Sequence, residues 1–215
     1  MDLERYIKIF SDLAESRSRI YGLLSQLYLQ PPDSDFLREL FSQDFEELLS
    51  SLLEQPSILG ELKEGLLLLR KFVSEKREAS FEETMETLTR EREKLFTEAF
   101  QGEENLRVEK AYREMGVRLP EGAAEPPSHL GFKLDFMRFL CLREAEAWRS
   151  GSLEEAVNLL EKERDFLSKH LEGWVSGFCE EMFRRAEVDL YRGLAKLTKG
   201  FVEQDGLLLE EILKG

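Results

Sequence analysis

The chain has two cysteines and two histidines in 215 residues, too few for a disulfide framework or for most zinc sites. Cys141, Cys179, His129 and His170 are far apart, and no C-x-x-C spacing occurs. Neither histidine has a carboxylate three residues before it, which removes the Glu-x-x-His ligation of helical di-iron proteins. Both cysteines fall on apolar helical stretches, where a free thiol behaves as a small buried hydrophobe. No metal and no cofactor are expected. G-x-x-x-x-G-K-[ST], G-x-G-x-x-G after a strand, H-E-x-x-H and G-x-S-x-G are all missing. Their absence closes the commonest routes to an enzyme, and none is expected.

β-Branched residues are scarce, and nowhere do four or more residues alternate as in a strand, so an all-α fold is expected. No uncharged run approaches the roughly 20 residues that span a bilayer. The opening Met-Asp-Leu-Glu-Arg lacks the basic and apolar regions of a secretory signal. A cytoplasmic protein without stable membrane insertion is the expectation. Basic residues are also outnumbered, 30 against 44 acidic, for a formal net charge of -14. That balance, with no segregated basic patch, opposes nucleic acid and anionic lipid and favours basic partners.

What is present is helical period. Apolar residues make up 42% of the chain and charged residues of both signs 34%, the composition of a protein with a core. From Leu3 to Leu29 apolar residues recur at helical steps until Pro31 and Pro32 stop the helix. Ser34 is placed to cap a second segment that runs to Pro56, and a third spans Ile58 to Val73. Ser80-Phe-Glu-Glu83 has the spacing of a capping box and opens a helix through Phe100, with Gly102 as its end. Asn105 to Met115 reads as a short helix closed by Gly116. After a helix ending at Gly151, Ser152-Leu-Glu-Glu155 is a second capping box. Helices follow over Leu171 to Arg184 and Val188 to Phe201, and Gly206 sets off a short tail.

The longest irregular segment, 117–127, ends in Glu125-Pro-Pro-Ser-His-Leu-Gly-Phe-Lys-Leu-Asp-Phe-Met137. Pro126 and Pro127 force extended backbone, and Ser128 stands where an N-cap belongs. Leu130, Leu134, Met137 and Leu140 then recur at helical steps, and Phe132, Phe136 and Phe139 widen the stripe until most of the helix is buried. Ser128 and His129 are not a nucleophile and base: neighbours at a helix start diverge, and a base must reach its nucleophile within about 3 Å. His129 either fixes the loop or forms the polar rim of a groove. The expected architecture is a bundle of about nine to ten helices. It divides into a lobe at 1–116, a hinge at 117–127 carrying Pro126 and Pro127, and a lobe at 128–215.

These residues resemble the TorD-like family of redox-enzyme maturation chaperones. The stretch from Glu125 to Met137 is similar to that family's proline-containing Asp-His-Leu followed by Leu-x-Phe-Met. His170-Leu-Glu-Gly-Trp174, Phe178 and Leu190-Tyr-Arg-Gly-Leu-Ala195 are similar to its C-terminal pattern. Leu95-Phe96 and Tyr28-Leu-Gln-Pro31 resemble weaker elements. The chain departs from the family at Ser128, where an acid is usual, at Lys133, where glutamate is common, and in a shortened segment between Phe100 and Leu106.

The resemblance implies a cytoplasmic chaperone that binds the twin-arginine leader and apo form of a molybdoenzyme or related redox enzyme until its cofactor is installed. A leader offers two guanidinium groups and an apolar stretch that favours helix. The implied peptide-binding residues are Tyr28, Leu95, Phe96, Phe100 and Phe136 on the apolar side, with Ser128 and His129 at the polar edge. The same aromatics also fit a plain core, and a helical adaptor without leader specificity is the alternative. An extending hinge would permit a domain-swapped homodimer as well as a monomer.

Overall fold

The computed structural model describes residues 3–96, 102–123 and 125–214. Among them are ten α-helices and one π-helical turn, with no strand. The helices are α1 (Leu3–Leu29), α2 (Ser34–Leu40), α3 (Gln43–Glu54), α4 (Gly60–Lys76), α5 (Phe81–Phe96), α6 (Gly102–Glu114), α7 (Leu130–Arg149), α8 (Leu153–Leu167), α9 (Gly173–Arg185) and α10 (Asp189–Lys214). The π-helical turn, Ser168–Glu172, joins α8 to α9. The all-α expectation is met. Among the described residues no helix is long and apolar enough to cross a membrane.

The chain forms two compact units. The first comprises Met1–Leu29, Ala99–Gly173 and Val202–Gly215, and the second Gln30–Glu98 and Trp174–Phe201. The 117–127 connection, expected as a boundary between lobes, lies within the first unit. The physical reason is the pairing of α1 with α7, which joins the start of the chain to its middle. The buried residues of α1 are Ser11, Ala14, Arg17, Ser18, Tyr21, Leu24, Ser25 and Tyr28, and the small ones among them, Ser11, Ala14, Ser18 and Ser25, let another helix approach closely. Ser11 donates to the carbonyl of Ala145 at 3.4 Å and Ser18 to that of Arg138 at 3.3 Å, so the two helices run antiparallel. At the far end a Cβ on Gly131 would strike the Leu29 side chain. Leu130, Leu134, Met137, Leu140 and Cys141 are fully covered. Removing one such leucine to alanine costs about 2–5 kcal/mol.

In the second unit α4 and α10 cross at two glycines. A Cβ on Gly65 would sit 3.0 Å from the Gly193 carbonyl oxygen, and one on Gly193 3.0 Å from that of Gly65. Phe41 stacks on Phe72 and meets Phe81 edge-on, and the Tyr191 hydroxyl donates to the Leu88 carbonyl at 2.9 Å.

Several boundaries differ from the sequence reading. The segment after Pro32 is two helices, because the Ser42 hydroxyl accepts from Phe45 N at 3.1 Å and starts a new one. Asp33, not Ser34, caps α2, accepting from Phe36 N at 2.8 Å. Ser80 caps α5 as expected, at 3.5 Å from Glu83 N. Gly102 begins α6 instead of ending the helix before it. Ser152 occupies its cap position without a side-chain cap bond, its hydroxyl lying 3.0 Å from that of Ser150. Gly116 and Gly151 have φ of 74° each, the left-handed backbone a helix stop needs. Gly206 does not interrupt α10: a Cβ there would strike the Glu172 carboxylate, so the glycine serves close approach rather than a break.

Candidate functional site

The proline segment delivers the chain to α7 through a set of fixed backbone bonds. Tyr112 on α6 donates its hydroxyl to the Pro127 carbonyl at 3.1 Å, and burial pushes that phenol well up. Ser128 N donates to Asn105 Oδ1 at 3.0 Å, and His129 N to the Pro126 carbonyl at 2.9 Å. His129, not Ser128, is the N-cap, its Nδ1 accepting from Gly131 N at 3.1 Å. An imidazole that accepts at Nδ1 carries its proton on Nε2 when neutral. The cap lies one residue downstream of the expected Ser128, whose own amide is held by Asn105. The Ser128 hydroxyl is buried and meets no hydrogen-bond partner among the described residues.

One turn into α7 stands Lys133, 1% exposed. Its ammonium donates to Glu104 Oε1 on α6 and to the carbonyl of His170, each at 3.0 Å. His170 Nδ1 lies 3.1 Å from the same Glu104 oxygen. Burial lowers the Lys133 pKa, and the bond to Glu104 partly restores it. Burial alone would raise the Glu104 carboxyl, but the bonds from Lys133 and His170 hold it below the ordinary carboxylate range. Beneath lie the rings of Tyr112, Phe136 and Phe166, with Phe136 4.7 Å from each of the others and His170 4.9 Å from Phe166.

Of the residues expected to bind a peptide, the first unit therefore contains Tyr28, Ser128, His129 and Phe136, all buried. Pro126 and Pro127 are half-buried beside them. Leu95 and Phe96 belong to the second unit. Leu95 is buried, and Phe96 is half-buried, with its ring 6.2 Å from Tyr191 and the Arg92 guanidinium 5.5 Å above it. Phe100 lies outside the described residues.

The sequence reading missed a second polar cluster in the first unit, centred on Arg17. The guanidinium reaches Glu144 Oε2 at 2.9 Å, Glu163 Oε2 at 2.5 Å and Asp205 Oδ1 at 2.5 Å, and the Tyr21 hydroxyl donates to Asp205 at 2.6 Å. Trp148 Nε1 donates to Glu144 Oε1 at 2.8 Å. Burial alone would lower the Arg17 pKa, yet the surrounding acids hold it well above its ordinary value. One cation faces three carboxylates, and burial pushes Glu163 up to about 8 and raises Glu144. Cys141 Sγ and oxygens of Glu144 and Glu163 lie within 4.8 Å of one another. Both Glu144 oxygens are engaged and the guanidinium supplies the positive charge, so the arrangement works as a buried ion network.

In the second unit a shallow pocket is lined by Glu61, Glu180, Phe183, Lys196 and Lys199. Its charges answer one another: Lys196 Nζ lies 2.7 Å from Glu61 and Lys199 Nζ 2.7 Å from Glu180.

Residues 60–180 match the family described as the nitrate reductase delta subunit. The chaperone protein TorD of Vibrio cholerae serotype O1 is 27% identical over 214 residues, 94% of this chain and 96% of that protein. A chlorate reductase assembly chaperone protein of Ideonella dechloratans is 35% identical over 71 residues, 33% of this chain and 36% of that protein. A selenate reductase assembly chaperone protein of Thauera selenatis is 37% identical over 67 residues, 31% of this chain and 34% of that protein.

Proposed function

The chain belongs to the nitrate reductase delta subunit family of TorD-like assembly chaperones, and from this we propose that it binds the apo form of a molybdoenzyme or related redox enzyme in the cytoplasm. It holds the client, with its twin-arginine leader, until the cofactor is inserted and export can follow. The observation that carries this reading is likeness to a TorD chaperone along 94% of the chain. The proline-to-helix stretch at 125–137 supports it. The family's assembly role is one of binding, so the chemistry required is recognition and not turnover.

The leader presents forked guanidinium groups and then apolar residues. An acidic protein of charge -14 attracts the first over a Debye length, and apolar burial holds the second. In this reading Ser128 and His129 are polar contacts and Tyr28 and Phe136 apolar contacts supplied by the first unit, Leu95 and Phe96 are apolar contacts supplied by the second, and Phe100 is a further apolar contact. Phe96 already keeps exposed surface. Tyr28, Leu95, Ser128, His129 and Phe136 are buried, so direct contact with a leader requires the residues covering them to give way. Ser128 brings no charge, which leaves apolar contact as the main source of affinity.

The experiment is co-purification of the tagged chain with the leader-bearing apo subunits of the source organism's molybdoenzymes. Retention of one of them supports the reading. Retention of none, with stable capture of some unrelated protein, points to a helical adaptor instead.

A further inference from the structure

The helix α1 carries two apolar stripes, one buried and the other partly exposed among the described residues. The buried stripe packs on α7. The other runs along a different face with strict heptad spacing: Tyr6, Leu13, Ile20 and Leu27 at one position, and Ile9, Ser16 and Leu23 at the position three residues later. Tyr6, Ile9, Ile20 and Leu23 are 41%, 46%, 41% and 54% exposed, large values for apolar side chains on a single helix face. Leu13 and Leu27 are half-buried. A repeat of 3.5 residues held over three heptads is the pattern that keeps one seam facing a partner helix of similar length. Ser16, at the middle of the seam, can be covered without stranding a polar group, because its hydroxyl donates to the Asp12 carbonyl at 2.9 Å.

The flanks of the seam identify the partner. On one side Phe10, Arg17 and Leu24 turn inwards, Arg17 and Leu24 being buried and Phe10 half-buried. Pairing of two parallel helices would bring each flank against the opposite flank of its partner, and that inward flank is closed. Only the other flank is open, reading Arg5, Asp12, Arg19 and Gln26. Two antiparallel helices bring like flanks together. In that arrangement Asp12 of one copy faces Arg19 of the second copy and the reverse, while Arg5 faces Gln26. The row is therefore complementary to itself when reversed. Arg19 is held only loosely at home, its side chain 80% exposed and 3.9 Å from Glu15. An uncharged leader stretch offers nothing to Asp12 or Arg19, whereas a second copy offers both partners.

We infer that the outward face of α1 is a self-association surface, on which two copies of the chain pair their first helices antiparallel through the Tyr6-to-Leu27 seam. Association covers the exposed apolar residues, and the two Asp12–Arg19 contacts fix direction and register.

Sedimentation velocity of the full chain across a micromolar concentration series tests this. The expected result is a reversible dimer whose dissociation constant rises by roughly tenfold or more in Ile20→Asp/Leu23→Asp, with the far-ultraviolet circular dichroism unchanged. Asp12→Arg alone weakens the dimer, and Asp12→Arg combined with Arg19→Asp restores it, since the reversed row is again complementary. These two flank positions are on the surface, so the charge exchange reads association even if the double aspartate variant folds poorly. A chain that stays monomeric throughout the series overturns the inference. So does a dimer indifferent to both sets of changes, as an exchange of segments about Pro126 and Pro127 would give. A double charge exchange no stronger than Asp12→Arg alone overturns the antiparallel register.

Discussion

Arg17 and Glu163, 146 positions apart in the chain, meet in the interior of the first unit with Nη2 and Oε2 at 2.5 Å. Three carboxylates share one guanidinium there. Burial and the neighbouring acids raise Glu163 to about 8, so the folded state holds its proton more tightly than the unfolded chain does. A raised carboxyl contributes stability that is fully present below the ordinary carboxylate range and is lost as pH rises towards 8. Denaturant titrations should show stability falling over that window at up to about 1.4 kcal/mol per pH unit, one proton's worth. Glu163→Gln should flatten the profile and melt above the parent at alkaline pH. An unchanged profile would show that Glu163 is ionised in the fold.

Removing the cation should be far worse than removing one acid. Arg17→Met leaves Glu144, Glu163 and Asp205 buried without their shared partner, and breaking such a network costs about 3–5 kcal/mol. Urea denaturation should show this as a large drop in midpoint with little change in slope. A loss under about 1 kcal/mol would mean that the acids take up protons cheaply.

Lys133 departs from its family, where a glutamate is common, and the structure supplies the answering charge from Glu104 at 3.0 Å. The two should therefore be coupled. Since Glu104 is part-exposed, Glu104→Gln should cost a moderate ~1–3 kcal/mol. Glu104→Gln with Lys133→Met should cost less than the sum of the single changes. A cycle that closes additively within about 0.5 kcal/mol would leave the pair without a role in stability.

Gly206 gives a prediction of sign. Alanine for glycine inside an ordinary helix stabilises by up to about 1 kcal/mol. Here the new methyl would strike the Glu172 carboxylate, which Arg164 holds at 3.0 Å while also reaching Glu210 at 2.6 Å. Gly206→Ala should lower the melting temperature, and a rise would show that the Glu172 side chain swings aside at little cost.

The regular parts of this fold were legible wherever a local signal agreed with the tertiary outcome. The long first helix was readable because Pro31 and Pro32 stop it and its apolar period is unbroken, and Gly116 was readable as a helix stop. The break at Phe41–Ser42 was hidden because the cap lies inside a continuous apolar run. Gly206 misled because a glycine that permits close approach looks the same as one that ends a helix. The cap at His129 was hidden because Ser128 beside it is the commoner cap residue, and the bond from the Ser128 amide to Asn105, 23 residues earlier, is one that no local pattern announces. Arg17 was invisible for a stronger reason: on an amphipathic helix a lone arginine reads as surface, and its acids lie 127, 146 and 188 residues away. The family signature at 125–137 was legible as a motif, but the carboxylate that balances Lys133 comes from another helix.

Phe96 separates a ligand contact from a core role. It is half-buried, against Tyr191 and under Arg92, while its neighbour Leu95 is buried. Phe96→Ala should weaken leader-peptide binding by roughly tenfold in calorimetry at fixed salt, about 1.4 kcal/mol, while helical content is retained. Equal loss of fold and binding would place Phe96 in the core.

The assembly role itself is tested most directly by titrating the chain, in turn, with the leader-bearing catalytic subunits of the source organism's molybdoenzymes in apo and cofactor-loaded form. One apo subunit should bind at micromolar affinity or tighter, and its cofactor-loaded form at least roughly tenfold more weakly, because a chaperone that acts before cofactor insertion must release the finished client. Binding to none of them, or equal binding to both forms, would contradict the account.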